Sequence, residues 1–233
     1  MFVWKSVLLE LQIIPMQTTK FYTKREEKAN WISHFIGILI GMAGTIVLII
    51  RAINHHNNYA VLAFAIFGFG MIVCMLASTI YHFVQTPATK SILRRFDHGS
   101  IYVLIACSYS PFTLILLRNE GYWGWGLFAL VWLIALVGIG FNFRTLKANS
   151  HLKTASYVLM GMVIVIAIRP SIEIAASLNC MVVLLWILIG GIFYIVGAIF
   201  YALAKREFIH FIFHLFVIFG MMSHIYAAFL IPL

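Results

Sequence analysis

Long apolar runs, each broken by a short cluster of charges or turn residues, set the rhythm of this chain. A helix that crosses a bilayer needs about 20 mostly apolar residues. Seven segments meet that requirement: His34–Ile53, Tyr59–Phe83, Gly99–Leu117, Trp123–Phe143, Thr154–Ile168, Leu178–Leu203 and Phe208–Leu230. The fifth is the shortest, because Lys153 and Arg169 bracket it, and it crosses if both side chains snorkel to the interface. The pattern predicts an all-α integral membrane protein with seven transmembrane helices. Residues 34–233 form that domain, and residues 1–33 form an N-terminal tail. Within the tail, Val7–Ile14 is apolar but interrupted by Glu10 and too short to span. No small-residue cleavage site follows, so no signal peptide is expected. The stretch reads either as an interfacial helix or as an upstream extension, with Met16 the true start.

Composition excludes the main alternatives. Lys, Arg, Asp and Glu make up 10% of the chain and apolar residues 63%, whereas ordinary soluble domains are about 25% charged. So few charges cannot keep a 26.5 kDa globule wet over its surface, nor hold a chain disordered. A soluble enzyme is ruled out. The net charge of +9 does not point to nucleic acid, because the basic residues sit in short loops where orientation signals lie. With the N-terminus inside, Lys5, Lys20, Lys24, Arg25, Lys28, Lys90, Arg94, Arg95, Arg144, Lys147, Lys153, Lys205 and Arg206 collect on the cytoplasmic side. Only Arg51, Arg118 and Arg169 fall opposite. The positive-inside rule therefore predicts a multi-pass protein of the cell membrane, N-terminus cytoplasmic and C-terminus outside. Cys74, Cys107 and Cys180 are odd in number and contain no CxxC pair, so no disulfide framework is expected.

Ionisable residues inside spans are functional candidates, because a polar group in hydrocarbon costs several kcal/mol without a partner. In the expected orientation, Ser78 and His82 close the second span at the cytoplasmic side, Asp97 and His98 open the third, and His210 and His214 open the seventh. His210 and His214 are i, i+4 and share one helix face. Two imidazoles so placed can bind one transition metal, and a third from another helix completes a site with an open position. Asp97 is the acidic residue beside this cluster, placed to orient a water and take its proton. Ser78 could hydrogen-bond a developing oxyanion or merely its own i−4 carbonyl. The HExxH pattern of metalloproteases is absent, since Phe211, Ile212 and Phe213 separate the two histidines. The plain readings stand beside this one. A membrane histidine often just hydrogen-bonds a neighbouring helix, and Asp97 after Arg94 and Arg95 could be a helix N-terminal charge or a surface ion pair. His98 points about 100° away from Asp97 and is left out of the site. His55 and His56 read as solvated loop residues, and His151 has no clustered partner. His224, about 15 Å beyond His214, reads as an interhelical hydrogen bond.

These residues resemble a known family. Glu26-Glu27-Lys28-Ala29-Asn30-Trp31-Ile32-Ser33-His34 is similar to the EExxNxxSH opening of bacterial hemolysin III proteins. Ser78-Thr79-Ile80-Tyr81-His82 resembles their SxxYH, Asp97-His98 their DH pair, and His210-Phe211-Ile212-Phe213-His214 with His224 their HxxxH…H. Four ordered motifs run from Glu26 to His224. The resemblance implies kinship with the progestin and adiponectin receptor family and, more distantly, with alkaline ceramidases. That group implies seven helices and a Zn2+ ion held by His82, His210 and His214, with Asp97 holding the water at the zinc and Ser78 assisting. Glu27, Asn30 and His34 match the opening motif without an assigned chemical role.

The expected function is zinc-dependent hydrolysis, amidohydrolase-like, of a lipid-like substrate drawn from the bilayer, serving membrane lipid homeostasis. The expected partners are membrane lipids and that substrate, with no nucleic acid. Two alternatives remain open at this point: a receptor-like sensor whose zinc is structural, and a cytolytic, membrane-lysing protein. A transporter is weaker, because a single carboxylate lies near the cluster.

Overall fold

The computed structural model describes residues 22–144, 151–202 and 206–233, apart from the side chain of Arg144. The candidate interfacial segment Val7–Ile14 and the loop cations Lys147 and Lys205 lie outside the described residues. All regular structure among the described residues is helical, and seven helical segments are long and apolar enough to cross a membrane.

Helix α1 spans Lys24–Asn54. It starts at Lys24 rather than His34 because Thr23 and Glu26 form a reciprocal capping box. The Glu26 carboxylate accepts the Thr23 N–H at 2.8 Å, and the Thr23 hydroxyl accepts the Glu26 N–H at 3.3 Å. Helix α2 spans Asn58–Phe83, capped by the Asn57 side chain on the Ala60 N–H. Helix α3 begins with Pro87 in its first turn and runs to Ser108, then continues through a π-helical turn over Phe112–Leu116. Pro111 lacks the N–H that an α-helix would need there, and the Thr113 hydroxyl and N–H both bond the Tyr109 carbonyl. Helix α4 spans Trp123–Arg144.

The fifth crossing differs most from expectation. It consists of α5 (His151–Gly161), a 3-10 stretch (Met162–Ala167) and α6 (Ile168–Ser177). Arg169 does not end it. The helix carries on past Pro170, whose missing N–H falls in the first turn of α6, just after the 3-10 stretch, where an N–H has the least to lose. Lys153 does not snorkel either: it is buried inside the bundle, whereas Arg169 is exposed and paired with Glu173. Helices α7 (Met181–Ala202) and α8 (Ile209–Leu230) complete the bundle.

Polarity is inverted relative to a soluble protein. Ile46, Leu133 and Leu185 are more than half exposed, while Glu27, Asn30, His82, Asp97 and His214 are buried. Phe64, Phe67, Met71 and Met75 of α2 pack against Leu48 of α1 and Met221 of α8. Helices α2 and α3 approach so closely at Gly70 that a Cβ there would overlap the Cys107 side chain. The three cysteines are free and buried. At one end of the bundle Arg51 donates to the Ile231 carbonyl at 2.9 Å and Arg118 lies over the Tyr59 ring. The polar cluster sits at the other end.

Candidate metal centre

Two helices supply the imidazoles. His82 lies in the last turn of α2, and His210 and His214 stack one turn apart on α8. The three nitrogens that meet are all Nε2: His82 to His210 at 3.2 Å and His210 to His214 at 3.1 Å. Zinc–nitrogen bonds of 2.0–2.1 Å at tetrahedral angles separate ligand nitrogens by about 3.3 Å. The spacing therefore suits one ion shared by three rings, and this buried trio is the one group of histidine, cysteine or carboxylate side chains among the described residues arranged to hold a metal.

The opposite ring nitrogens show why Nε2 is the free atom. His82 Nδ1 donates to the Glu27 carboxylate at 2.7 Å. His214 Nδ1 reaches the Asn30 carbonyl at 3.3 Å, with the Ser33 hydroxyl 3.2 Å away. A ring that donates from Nδ1 carries its lone pair on Nε2, the arrangement that metal-binding histidines take. Both acceptors come from α1. Glu27 is itself fixed by the Lys90 ammonium at 2.8 Å, and Lys90 also donates to the Tyr81 and Val84 carbonyls at the end of α2. Glu26 reaches the other arm of the site, accepting the Phe208 N–H at 3.0 Å just before α8 begins. Phe208 holds a left-handed φ of 60° there, so its backbone sits in the less populated region that this contact helps to hold.

Aromatic and imidazole rings close the remaining faces. His34 of α1 stacks on His214 with ring centres 3.7 Å apart. Tyr22, just before α1, stacks on His210 at 4.8 Å and leans on His82. Burial and the nearby Tyr81 and Tyr201 hydroxyls push the Tyr22 phenol well above its usual range, so it stays protonated and neutral.

Asp97 and Ser78 are brought together beside the trio. Both are buried, and both line the same cavity as His210 and His214. Asp97 does not open its helix. It lies inside α3, which starts at Pro87, and neither a surface ion pair nor a helix-end charge describes it. His98 was expected to point away, yet it is buried and lines the same cavity. Its neighbour Lys153 is buried too, its ammonium 3.0 Å from His98 Nδ1. His224 bonds the Ile187 carbonyl of α7 at 3.3 Å, an interhelical hydrogen bond as expected. His55, His56 and His151 are exposed.

Sequence reading alone did not give Glu27, Lys90 or Tyr22 a role. The signal for the first was present: Glu27, Asn30 and His34 recur at i, i+3 and i+7, which aligns them on one helix face.

From this centre a cavity of about 340 Å³ runs along the inside of α3, the fifth crossing, α7 and α8 to His224. Val165, Leu188 and Ile192, on the fifth crossing and α7, line it and are each more than half exposed.

Comparison with known proteins gives one family. The family model described as "Haemolysin-III related" matches residues 22–225. The chain is 39% identical over 196 residues to "Hemolysin-3" of Bacillus cereus, covering 84% of this chain and 87% of that protein. It is 41% identical over 199 residues to "Hemolysin-3 homolog" of Bacillus subtilis, covering 85% and 91%. A more distant similarity, 29% over 173 residues, links it to "Monocyte to macrophage differentiation factor" of Homo sapiens, covering 70% and 67%.

Proposed function

The chain belongs to the haemolysin-III related family, and from that premise we propose that it is a zinc-dependent hydrolase of a lipid-like amide in the cell membrane, its N-terminus cytoplasmic. The observation that supports this reading is the meeting of three Nε2 atoms at one end of an apolar cavity that a buried carboxylate, Asp97, also lines.

His82, His210 and His214 would hold the ion, and Glu27 and the Asn30 carbonyl keep two of those rings turned toward it. Zinc is favoured over other ions that imidazole accepts by the family resemblance. When bound, it polarises a carbonyl and lowers the pKa of water toward about 7. The other steps fall to the chain. Asp97 accepts a proton from the attacking water as its oxygen bonds to the carbonyl carbon. It returns that proton to the nitrogen as the C–N bond breaks, leaving a carboxylic acid and an amine. Ser78, on the same cavity wall, would orient the Asp97 carboxylate. The cavity takes the acyl chain, and its exposed wall on the fifth crossing and α7 is where a substrate would enter from the bilayer, which suits a role in membrane lipid homeostasis.

Purified protein in detergent should carry about one zinc per chain by elemental analysis, lost in His82→Ala and His214→Ala. Asp97→Asn should keep the zinc and lose release of a labelled acyl chain from an N-acyl amine. A fully helical protein without metal overturns the reading. Metal that stabilises the fold while no N-acyl lipid turns over favours a receptor-like sensor. Vesicle leakage that survives both His82→Ala and Asp97→Asn favours cytolysis.

A further inference from the structure

Toward the end of the cavity away from the metal centre, two buried polar atoms have no hydrogen-bond partner: Nδ1 of His224 and the hydroxyl oxygen of Tyr194. Both residues line the cavity. We propose that they form a subsite for a hydroxyl group carried partway along the ligand's hydrocarbon chain, so that the cavity selects a chain-hydroxylated lipid over a plain one. The place of the ligand's head, and hence the distance from it to that hydroxyl, rests on the hydrolase reading.

His224 on α8 is 8% exposed, and its Nε2 lies 3.3 Å from the Ile187 carbonyl of α7. A carbonyl only accepts, so the ring hydrogen resides on Nε2 and the neutral imidazole presents a lone pair at Nδ1. The Tyr194 phenol of α7 has a hydrogen to give. An acceptor and a donor thus stand on rings that meet edge to face, their centres 5.4 Å apart. A ligand hydroxyl both donates and accepts, so one such group satisfies both atoms. A ketone oxygen has no hydrogen for Nδ1, and a methylene serves neither. The hydroxyls of Ser108 and Tyr109 also line the cavity, but they already donate to the Ile105 and Gly161 carbonyls, each at 2.8 Å.

Helices α7 and α8 are shaped around these two rings. A Cβ on Gly190 of α7 would overlap the His224 ring, and one on Gly220 of α8 would press into the Tyr194 ring. Each helix gives up a side chain where the other helix's ring crosses it. Packing alone would be served as well by phenylalanine at both positions, whereas a buried polar atom without a partner is costly in hydrocarbon. Polar groups inside a span mark ligand pathways. Register follows from helix geometry. His224 lies ten residues beyond His214 on α8, about 15 Å along its axis. Single C–C bonds of about 1.5 Å advance an extended chain by about 1.25 Å per carbon. A head at the metal centre therefore puts roughly the twelfth carbon level with His224.

The test measures binding rather than turnover. Zinc-loaded full chain in a neutral maltoside detergent is loaded with radiolabelled octadecanoate, which is then displaced by octadecanoate hydroxylated on the twelfth carbon or by its isomer hydroxylated on the sixth. The two isomers share head, length and polarity and differ only in where the hydroxyl falls. The twelfth-carbon isomer should compete about tenfold better, a difference of about 1.4 kcal/mol. Tyr194→Phe keeps the ring against Gly220 and removes the donor, and His224→Phe removes the acceptor. Each should shrink the ratio to about threefold or less while octadecanoate binding and zinc content hold. Equal competition by the isomers, better competition by the sixth-carbon one, a ratio unchanged in either variant, or no binding of any of these acids overturns the subsite. Loss of zinc in Tyr194→Phe overturns it too, since the ring would then act on the metal centre. Turnover is a separate readout. Protein that shows the isomer preference but releases no acyl chain from an N-acyl amine sinks the hydrolase and leaves the subsite standing, and turnover with equal competition does the reverse.

Discussion

At the scale of single residues, the metal centre depends on which nitrogen of each imidazole faces the other two rings. His82 and His214 each commit Nδ1 to an acceptor on α1 and turn Nε2 inward. The outer partner of a metal-binding histidine commonly contributes 10- to 100-fold in affinity. Glu27→Gln should therefore raise the zinc dissociation constant by about that factor, measured by competition with a fluorescent chelator. Glu27→Asp should recover part of the loss, and an unchanged constant in Glu27→Gln would show that the 2.7 Å contact does not orient His82. The histidine trio and the carboxylate that shares its cavity were conspicuous in sequence, because His82, Asp97, His210 and His214 are polar interruptions in otherwise apolar runs. Glu27 and Lys90 were not, because they lie among Glu26, Lys28, Arg94 and Arg95 in stretches that read as loop charge. His98 was missed for another reason. A helical wheel separates it from Asp97 by about 100°, which excludes it only if one face of α3 points inward. Helix α3 is enclosed around much of its circumference, and Lys90, Arg94, Asp97 and His98 are all buried.

At the scale of elements, the number of crossings was fixed by apolar length, but three of their limits were not. Helix α1 begins at Lys24, α3 at Pro87, and the fifth crossing runs to Ser177. In each case the expected boundary fell where charges began. A scan for apolar length cannot distinguish a charge in water from one paired inside the bundle, and the Glu27–Lys90 pair is of the second kind. The helix ends then become the site: the first turns of α1 and the last turn of α2 deliver Glu27 and His82 to each other. Their placement also depends on how closely α2 and α3 pack. At Gly70 any added side chain meets Cys107. Gly70→Val should force the helices apart and cost about 1–3 kcal/mol, read as a lower melting temperature in detergent. Because α3 carries Asp97 and α2 carries Ser78, turnover should fall more than zinc content does in the same variant. An equal loss of both would mean that the strain reaches the histidines as well.

At the scale of the molecule, the centre ties together parts of the chain that are far apart in sequence. The start of α1 and the start of α8 meet there: Tyr22 covers the His210 ring, Glu26 holds the start of α8, and α1 supplies the acceptors for rings on α2 and α8. An ion that binds only the folded arrangement stabilises it by mass action, by about 2.7 kcal/mol at a hundredfold excess over its dissociation constant. Three imidazoles must be unprotonated to bind, so protons compete with the metal and the gain is present at neutral pH and lost as pH falls. Chelator at neutral pH should therefore lower the melting temperature of the wild-type chain, and acid should remove most of the difference between metal-loaded and metal-free samples. His82→Ala should melt near the metal-free value and ignore the chelator at every pH. If the wild-type melting temperature does not respond to chelator at neutral pH, although elemental analysis shows the ion has gone, then α1, α2 and α8 are held by packing around Phe64, Met71 and Met221 alone. The centre would then serve ligand chemistry without supporting the fold.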